Sequence, residues 1–209
     1  MDKSSVSKAT LGRMPSYLGY LKGLGADESK KYVSATMIAR ELKLGEVQVR
    51  KDLCAVSGAG KPKLGYLRES LIKALEDFLG YNRLTPTVLV GAGKLGKALL
   101  EYDDFQKYGI EIVAAFDRNK EAVKYGNNKE ILPMSAFKEV CEKQDVKIGI
   151  ITVGEGSAQE VADTMVASGI KAIWNFAPIK LKIPDEILVQ QESLALSLAH
   201  LRNQLTNIK

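Results

Sequence analysis

Apolar residues recur at spacings of three and four from near the start of the chain. Leu11, Met14, Tyr17, Leu18, Leu21 and Leu24 make one stripe and predict an amphipathic helix. A loop is predicted over residues 25–31. Ser34 is placed to cap the next helix, with Val33 and Ile38 packing as a hydrophobic staple, and that helix is predicted to run to about Leu42. Leu44-Gly45 reads as a tight turn, and a third helix follows from Glu46 to about Ser57. Two short helices joined so closely predict a helix-turn-helix. The run Gly58-Ala59-Gly60-Lys61-Pro62-Lys63-Leu64-Gly65-Tyr66 is rich in breakers and lysine, and predicts a hairpin loop, the wing of a winged helix. Leu71, Ile72, Leu75, Phe78 and Leu79 predict a fourth helix closed by Gly80, with residues 81–86 as a linker.

From Thr87 the pattern changes to alternation. Strands are predicted over 87–90, 110–116, 148–153 and 172–176, and helices over 96–102, 134–143 and 158–167. β-branched apolar runs separated by helices predict a parallel α/β sheet. A last helix is predicted over 193–205, with Leu194, Leu198, Leu201 and Leu205 on its apolar face.

The 209 residues leave room for two small domains, and 45% hydrophobic residues suffice for ordinary soluble cores. There is no run of about 18 apolar residues, so no membrane span is expected. Residues 1–10 are polar and lack the apolar core of a signal peptide, so a cytoplasmic location is expected. Cys54 and Cys141 stand far apart and read as reduced thiols, one semi-buried in each domain. With His200 the one histidine, neither a histidine-based metal site nor a Ser-His-Asp triad is expected, and no catalytic or metal-ligating residue is assigned. The net charge is +5, unevenly spread. Residues 1–85 hold 15 Lys/Arg against 9 Asp/Glu, and the remainder 15 against 16. The positive excess therefore lies wholly in the N-terminal part, where an acidic polymer is the natural partner.

The sharpest motif is Gly91-Ala92-Gly93-Lys94-Leu95-Gly96, between a predicted strand and a predicted helix. In that context Gly91 allows the tight turn, Gly93 lets the backbone approach a pyrophosphate, and Gly96 lets helix and strand pack closely. The helix start then offers N–H groups to the phosphates. Asp117 lies 21 residues past Gly96 at the end of the next strand. A carboxylate there accepts from both ribose hydroxyls and repels a 2′-phosphate, which favours NADH and NAD+ over their phosphorylated counterparts. Arg118 beside it either stacks on the adenine face or points to solvent. Thr152-Val153 and Asn175-Phe176-Ala177 end the next two strands, where side chains of a doubly wound sheet flank a cofactor.

On the third helix, Val49, Leu53 and Val56 share the face expected to pack on the core. Val47, Arg50, Lys51 and Cys54 point the other way, with Gln48 beside them. A short Val47 and basic Arg50 and Lys51 suit entry into a DNA major groove: Arg50 to a guanine edge, Gln48 and Lys51 to bases or phosphate. Lys61 and Lys63 on the wing are placed for a minor groove or its phosphates.

Taken together these segments resemble the Rex family of redox-sensing repressors over nearly the whole chain. The match rests on Gln48-Val49-Arg50-Lys51-Asp52-Leu53, on Leu64-Gly65-Tyr66, on the glycine motif and on Asn175-Phe176-Ala177-Pro178. The resemblance implies an α/β protein with a winged-helix DNA-binding domain (1–80), a Rossmann domain with a doubly wound parallel sheet (81–187), and a C-terminal dimerisation helix exchanged between subunits (188–209). It further implies a homodimer on inverted-repeat, double-stranded operator DNA, released by NADH and allowed to bind by NAD+. It places Tyr102 and Phe105 near the nicotinamide and the dimer interface. The chain departs from many relatives at residues 55–60, which lack an aromatic, at Lys61-Pro62-Lys63, where an arginine is common, and at Ser193, where an aspartate is common.

Two other readings fit parts of the pattern. An NAD-dependent dehydrogenase needs a substrate domain and a proton-transfer group, for which little chain remains. A repressor with the same head but responsive to coenzyme A is the other.

Overall fold

The computed structural model describes residues 6–25, 28–118, 123–125 and 129–205. The chain divides into two compact units, Met1–Arg83 and Leu84–Lys209, meeting inside the predicted linker.

The first unit contains α1 (Lys8–Gly23), β1 (Tyr32–Val33), α2 (Ala35–Glu41), α3 (Glu46–Ser57), β2 (Tyr66–Leu67) and α4 (Arg68–Leu79). Its core is the one read from the apolar stripes: Met14, Tyr17, Leu18 and Leu21 of α1 pack with Ile38, Val49, Leu53, Leu71 and Leu75. Ser34 caps α2 by accepting from the Met37 N–H at 3.1 Å. The turn into α3 differs from expectation. Lys43, not Gly45, takes the left-handed conformation (φ 53°). The Leu44 N–H donates to the Ala39 carbonyl (2.9 Å) and the Lys43 N–H to that of Arg40 (3.3 Å), a Schellman closure at a position usually held by glycine. Gly45 instead caps α3 in an extended conformation. β1 and β2 pair antiparallel, Val33 against Tyr66. The wing is a tight turn in which Lys61 and Gly65 exchange both backbone hydrogen bonds, at 2.7 and 2.8 Å. That turn holds Lys63 exposed at its tip and Lys61 exposed at its closing pair.

The second unit contains β3 (Thr85–Val90), α5 (Lys94–Leu100), β4 (Ile110–Asp117), β5 (Val123–Tyr125), β6 (Lys129–Pro133), α6 (Phe137–Lys143), β7 (Ile148–Ile151), α7 (Glu155–Ala167), β8 (Ala172–Asn175), β9 (Leu188–Gln191) and α8 (Leu194–Leu205). The strands form one sheet in the order β5-β6-β4-β3-β7-β8-β9. Counted along the chain from β3, the six parallel strands run 3-2-1-4-5-6, the doubly wound arrangement. Val88, Leu89 and Val90 of central β3 are all buried, as a strand covered on both faces requires.

Three features depart from the sequence reading. Two strands that the pattern did not predict, β5 and β6, extend the sheet, and it is not wholly parallel, because β5 pairs antiparallel with β6 at the edge. Helices α5 and α7 start earlier than predicted, at Lys94 and Glu155, because Gly93 and Gly154 are extended caps and the first turns are polar. The last strand, β9, occupies residues 188–191, where a separate C-terminal segment was expected to begin, and it pairs parallel with β8. All four of its residues are exposed, so no burial alternation marked it. Helix α8 has no buried residue, and Leu194, Leu196, Leu198, Leu201 and Leu205 all face solvent. No helix among the described residues is long and apolar enough to cross a membrane.

Candidate functional site

In a doubly wound sheet the crevice lies beyond the carboxyl ends of the strands where the order reverses, here between β3 and β7. Gly91 follows β3 with φ 108°, and a Cβ there would stand 2.8 Å from the backbone of Thr152 and Val153. A Cβ on Gly96 would stand 1.9 Å from the Gly91 carbonyl oxygen. Both glycines are therefore demanded by the protein's own packing. A Cβ on Gly93 would meet no protein atom, yet Gly93 lines the crevice, so the space above it is open to a ligand. Thr152 at the end of β7 donates its hydroxyl to the Gly91 carbonyl (2.7 Å) and ties the two strand ends together.

The crevice measures about 700 Å³ and is bordered by Gly91, Gly93, Asp117, Arg118, Thr152 and Val153 among the expected positions, and by Val90 besides. Asp117 Oδ2 accepts from the Ala92 backbone N–H at 2.7 Å, so one carboxylate oxygen stabilises the glycine turn and one remains for a ligand. Arg118 is exposed, and its guanidinium donates to the Ser157 hydroxyl on α7. Lys94 stands exposed and Leu95 half-buried in the first turn of α5.

Other expected residues lie elsewhere. Asn175 is fully buried, its amide donating to the carbonyls of Ala177 and Ile179 and to Gln191 Oε1, and its oxygen accepting from the Ala177 N–H. Its side chain is spent on shaping the turn after β8, and Ala177 is buried there with it. Tyr102, Phe105, Trp174 and Phe176 form a row of ring contacts with centroids 5.0, 6.1 and 4.6 Å apart. Phe105, Trp174 and Phe176 pack on the second cluster of the sheet, with Leu89 and Ile150, whereas the crevice is walled by Val90, Val153 and Val161 of the first. The sequence reading missed Ser157, Glu160, Val161 and Thr164, which line the crevice from α7. Their i, i+3, i+4, i+7 spacing is one helix face, a signal hidden because that helix was expected to start at Ala158.

In the first unit, α3 exposes Val47, Gln48, Arg50, Lys51 and Cys54 and buries Val49, Leu53 and Val56. Cys54 is thus exposed rather than semi-buried, while burial pushes the thiol of Cys141 up to about 11. Arg50 pairs with Glu46 one turn back. The unexpected member of the inner face is Asp52, which is buried. It accepts from Arg13 Nε (2.8 Å) and Nη2 (3.0 Å), from the Tyr17 hydroxyl (2.7 Å) and from the Thr10 hydroxyl (3.1 Å), and so bolts α3 to α1. Burial works to raise its pKa, but the hydrogen bonds from Arg13, Tyr17 and Thr10 outweigh it and hold the carboxyl below its usual range. Burial, aided by Asp52, pushes the Tyr17 hydroxyl up to about 12.

A winged-helix unit with a basic outward helix, joined to a doubly wound sheet with a glycine-turn crevice, defines a class: transcription regulators that carry a DNA-reading head on a nucleotide-sensing domain. The family model "Putative DNA-binding protein N-terminus" matches residues 5–54, and "CoA binding domain" matches residues 82–179. The redox-sensing transcriptional repressor Rex of Treponema denticola is 43% identical over 199 residues, covering 93% of each chain. The crystal structure of RSP in complex with β-NAD+ and operator DNA superimposes with a TM-score of 0.87 at 32% identity, covering 97% of this chain and 93% of that one. RSP in complex with β-NADH gives 0.84 at 32% identity, covering 98% and 96%. The chain belongs to the Rex family of redox-sensing transcriptional repressors.

Proposed function

We propose that this protein is a cytoplasmic repressor that binds inverted-repeat operator DNA as a homodimer and lets go when NADH fills the crevice between β3 and β7. The observation that carries the reading is Asp117 beside Gly91 and Gly93 in one open crevice, in a chain whose N-terminal unit presents a basic recognition helix. Gly91, Ala92, Gly93, Lys94, Leu95 and Gly96 hold the pyrophosphate by backbone N–H groups. Asp117 takes the adenosine ribose, with Arg118 next to it. Thr152 and Val153 border the crevice toward the nicotinamide end. Tyr102, Phe105, Asn175, Phe176 and Ala177 act behind it, as the packing that supports that end. Val47, Gln48, Arg50 and Lys51 enter the major groove, and Lys61 and Lys63 contact DNA from the wing. Dimerisation uses α8, whose five exposed leucines need a cover that its own subunit does not provide.

Coenzyme A is disfavoured, although a "CoA binding domain" model matches residues 82–179. Its adenosine ribose carries a 3′-phosphate, which the Asp117 carboxylate repels as it would a 2′-phosphate. We assign the protein no reaction: the dinucleotide is read as a ligand and leaves unchanged.

For such a switch, the dimer form that does not fit DNA must bind NADH more tightly than the form that does. A tenfold preference at each of two sites supplies about 2.7 kcal/mol. Discrimination has a physical source, because a neutral reduced ring is less costly to bury than a charged oxidised one. The test is a gel-shift titration on an upstream inverted repeat. NADH is expected to release the protein while NAD+ and coenzyme A do not. Operator affinity indifferent to NADH would refute the proposal.

A further inference from the structure

Gln48 is the third residue of α3, in the N-terminal turn by which recognition helices meet base edges, and it is exposed. Its carboxamide oxygen is nevertheless occupied. With the amide oriented by the donors that face it, the Gln48 oxygen accepts from Arg13 Nη1 at 3.0 Å and from Nη2 at 3.1 Å. Nη1 gives that oxygen a donor of its own, while Nη2 divides its two hydrogens among Gln48, Asp52 and Thr10. Arg13 is itself immobilised, since Asp52 grips it in a two-point pair and the Thr10 hydroxyl accepts a further bond at 3.2 Å. The whole chain of contacts runs from a buried carboxylate outward to an exposed amide.

From this we infer that Arg13 is a specificity-determining positioning residue: by holding the oxygen of Gln48, it leaves that side chain to read DNA only as a hydrogen-bond donor. A free glutamine recognises adenine by donating to N7 and accepting from the N6 amino group, using both ends of its amide. With its oxygen held by Arg13, Gln48 offers the NH2 end of its amide. It suits an edge made of acceptors, guanine N7 and O6 or thymine O4, and leaves the adenine amino group unpaired. The inference rests on the proposal that α3 reads the operator, and it adds which base chemistry one residue of α3 selects.

The test is operator binding by the full-length protein to a panel with every half-site base pair substituted in turn. The position that responds to Gln48→Ala is the one Gln48 reads. The native protein is expected to prefer guanine or thymine over adenine there, by roughly ten- to a hundredfold. Gln48→Lys, which offers donors only, keeps that preference, and Gln48→Glu, which offers acceptors only, loses it. Arg13→Met frees the oxygen and moves the preference toward adenine. Since Arg13→Met also strands Asp52, the exposed Gln48 variants carry the test if it fails to fold. Native preference for adenine at that position overturns the inference. So does loss of preference in both Gln48→Lys and Gln48→Glu, or a panel in which no base pair responds to Gln48→Ala. Arg50→Ala and Lys51→Ala separate the two levels. If they leave operator affinity intact, α3 is not the reading helix and the proposed function fails. If they weaken it while the Gln48 variants disagree, only this inference fails.

Discussion

Asp117 Oδ2 accepts a 2.7 Å hydrogen bond from the backbone N–H of Ala92, so the carboxylate that ends β4 holds the glycine turn that follows β3. The residue expected to select the ligand's ribose thus also shapes the loop that receives its phosphates.

Asp117→Ala therefore removes two contributions from one crevice. A hydrogen bond to a charged group contributes about 1.5–3 kcal/mol. NADH affinity measured by calorimetry should fall by about ten- to a hundredfold, and operator affinity without NADH should stay within error of the native protein. A folded variant that had lost DNA binding would contradict the assignment of the crevice to NADH.

Gly96→Ala tests the packing of the turn. The added methyl would press on the Gly91 carbonyl from 1.9 Å, and neither backbone segment can rotate away. Overpacking of this kind costs about 1–3 kcal/mol. A lowered Tm of the second unit together with weakened NADH binding is expected, with the first unit's operator contacts retained. An unchanged Tm would show that the helix start relaxes freely.

The Asp52 cluster predicts a pH profile for the first unit. Asp52 has a folded pKa below its unfolded one. Its stabilisation is thus present above the ordinary carboxylate range, near about pH 4, and is lost as pH falls through the lower folded value. Tyr17 has the opposite sign: its contribution is present below about pH 10 and is lost as pH rises toward about 12. Urea midpoints of Asp52→Asn should show a shallower acid limb than the native protein. Asp52→Ala, which strands Arg13, should lose about 3 kcal/mol. Equal acid limbs in Asp52→Asn and native protein would remove Asp52 from the account.

Leu198 is 68% exposed on α8, in line with Leu194, Leu201 and Leu205. Leu198→Asp places a charge in the face proposed to be covered by a second subunit. Burying one leucine contributes about 1.5–3 kcal/mol, so the variant should sediment as monomer at concentrations where the native protein is a dimer. Operator affinity should drop with dimerisation, and NADH binding should survive. A dimeric variant would assign the leucine face another role.

The winged head was legible because its information is local. Helix stripes, the Ser34 cap, the Gly80 stop and the lysine-tipped wing follow from side-chain period and backbone preference within a few residues. The glycine motif and Asp117 were legible for the same reason, each marking the end of an apolar strand. Less visible were elements with no periodic burial. β9 exposes all four residues, and α7 begins with a polar turn.

By itself, then, the order of residues determined two domains, an alternating α/β pattern, where the positive charge lies and where a dinucleotide turn belongs. Tertiary structure alone decided which polar groups remain available. Asp52, Asn175 and Arg118 look equally free along the chain, yet packing buries the first two with every contact made and draws the third to Ser157. Local spacing sets which face a side chain occupies, but the partners of Asp52 and Arg118 come from segments dozens of residues away, and those of Asn175 from its own turn and from β9, so only the folded chain brings them within hydrogen-bond distance.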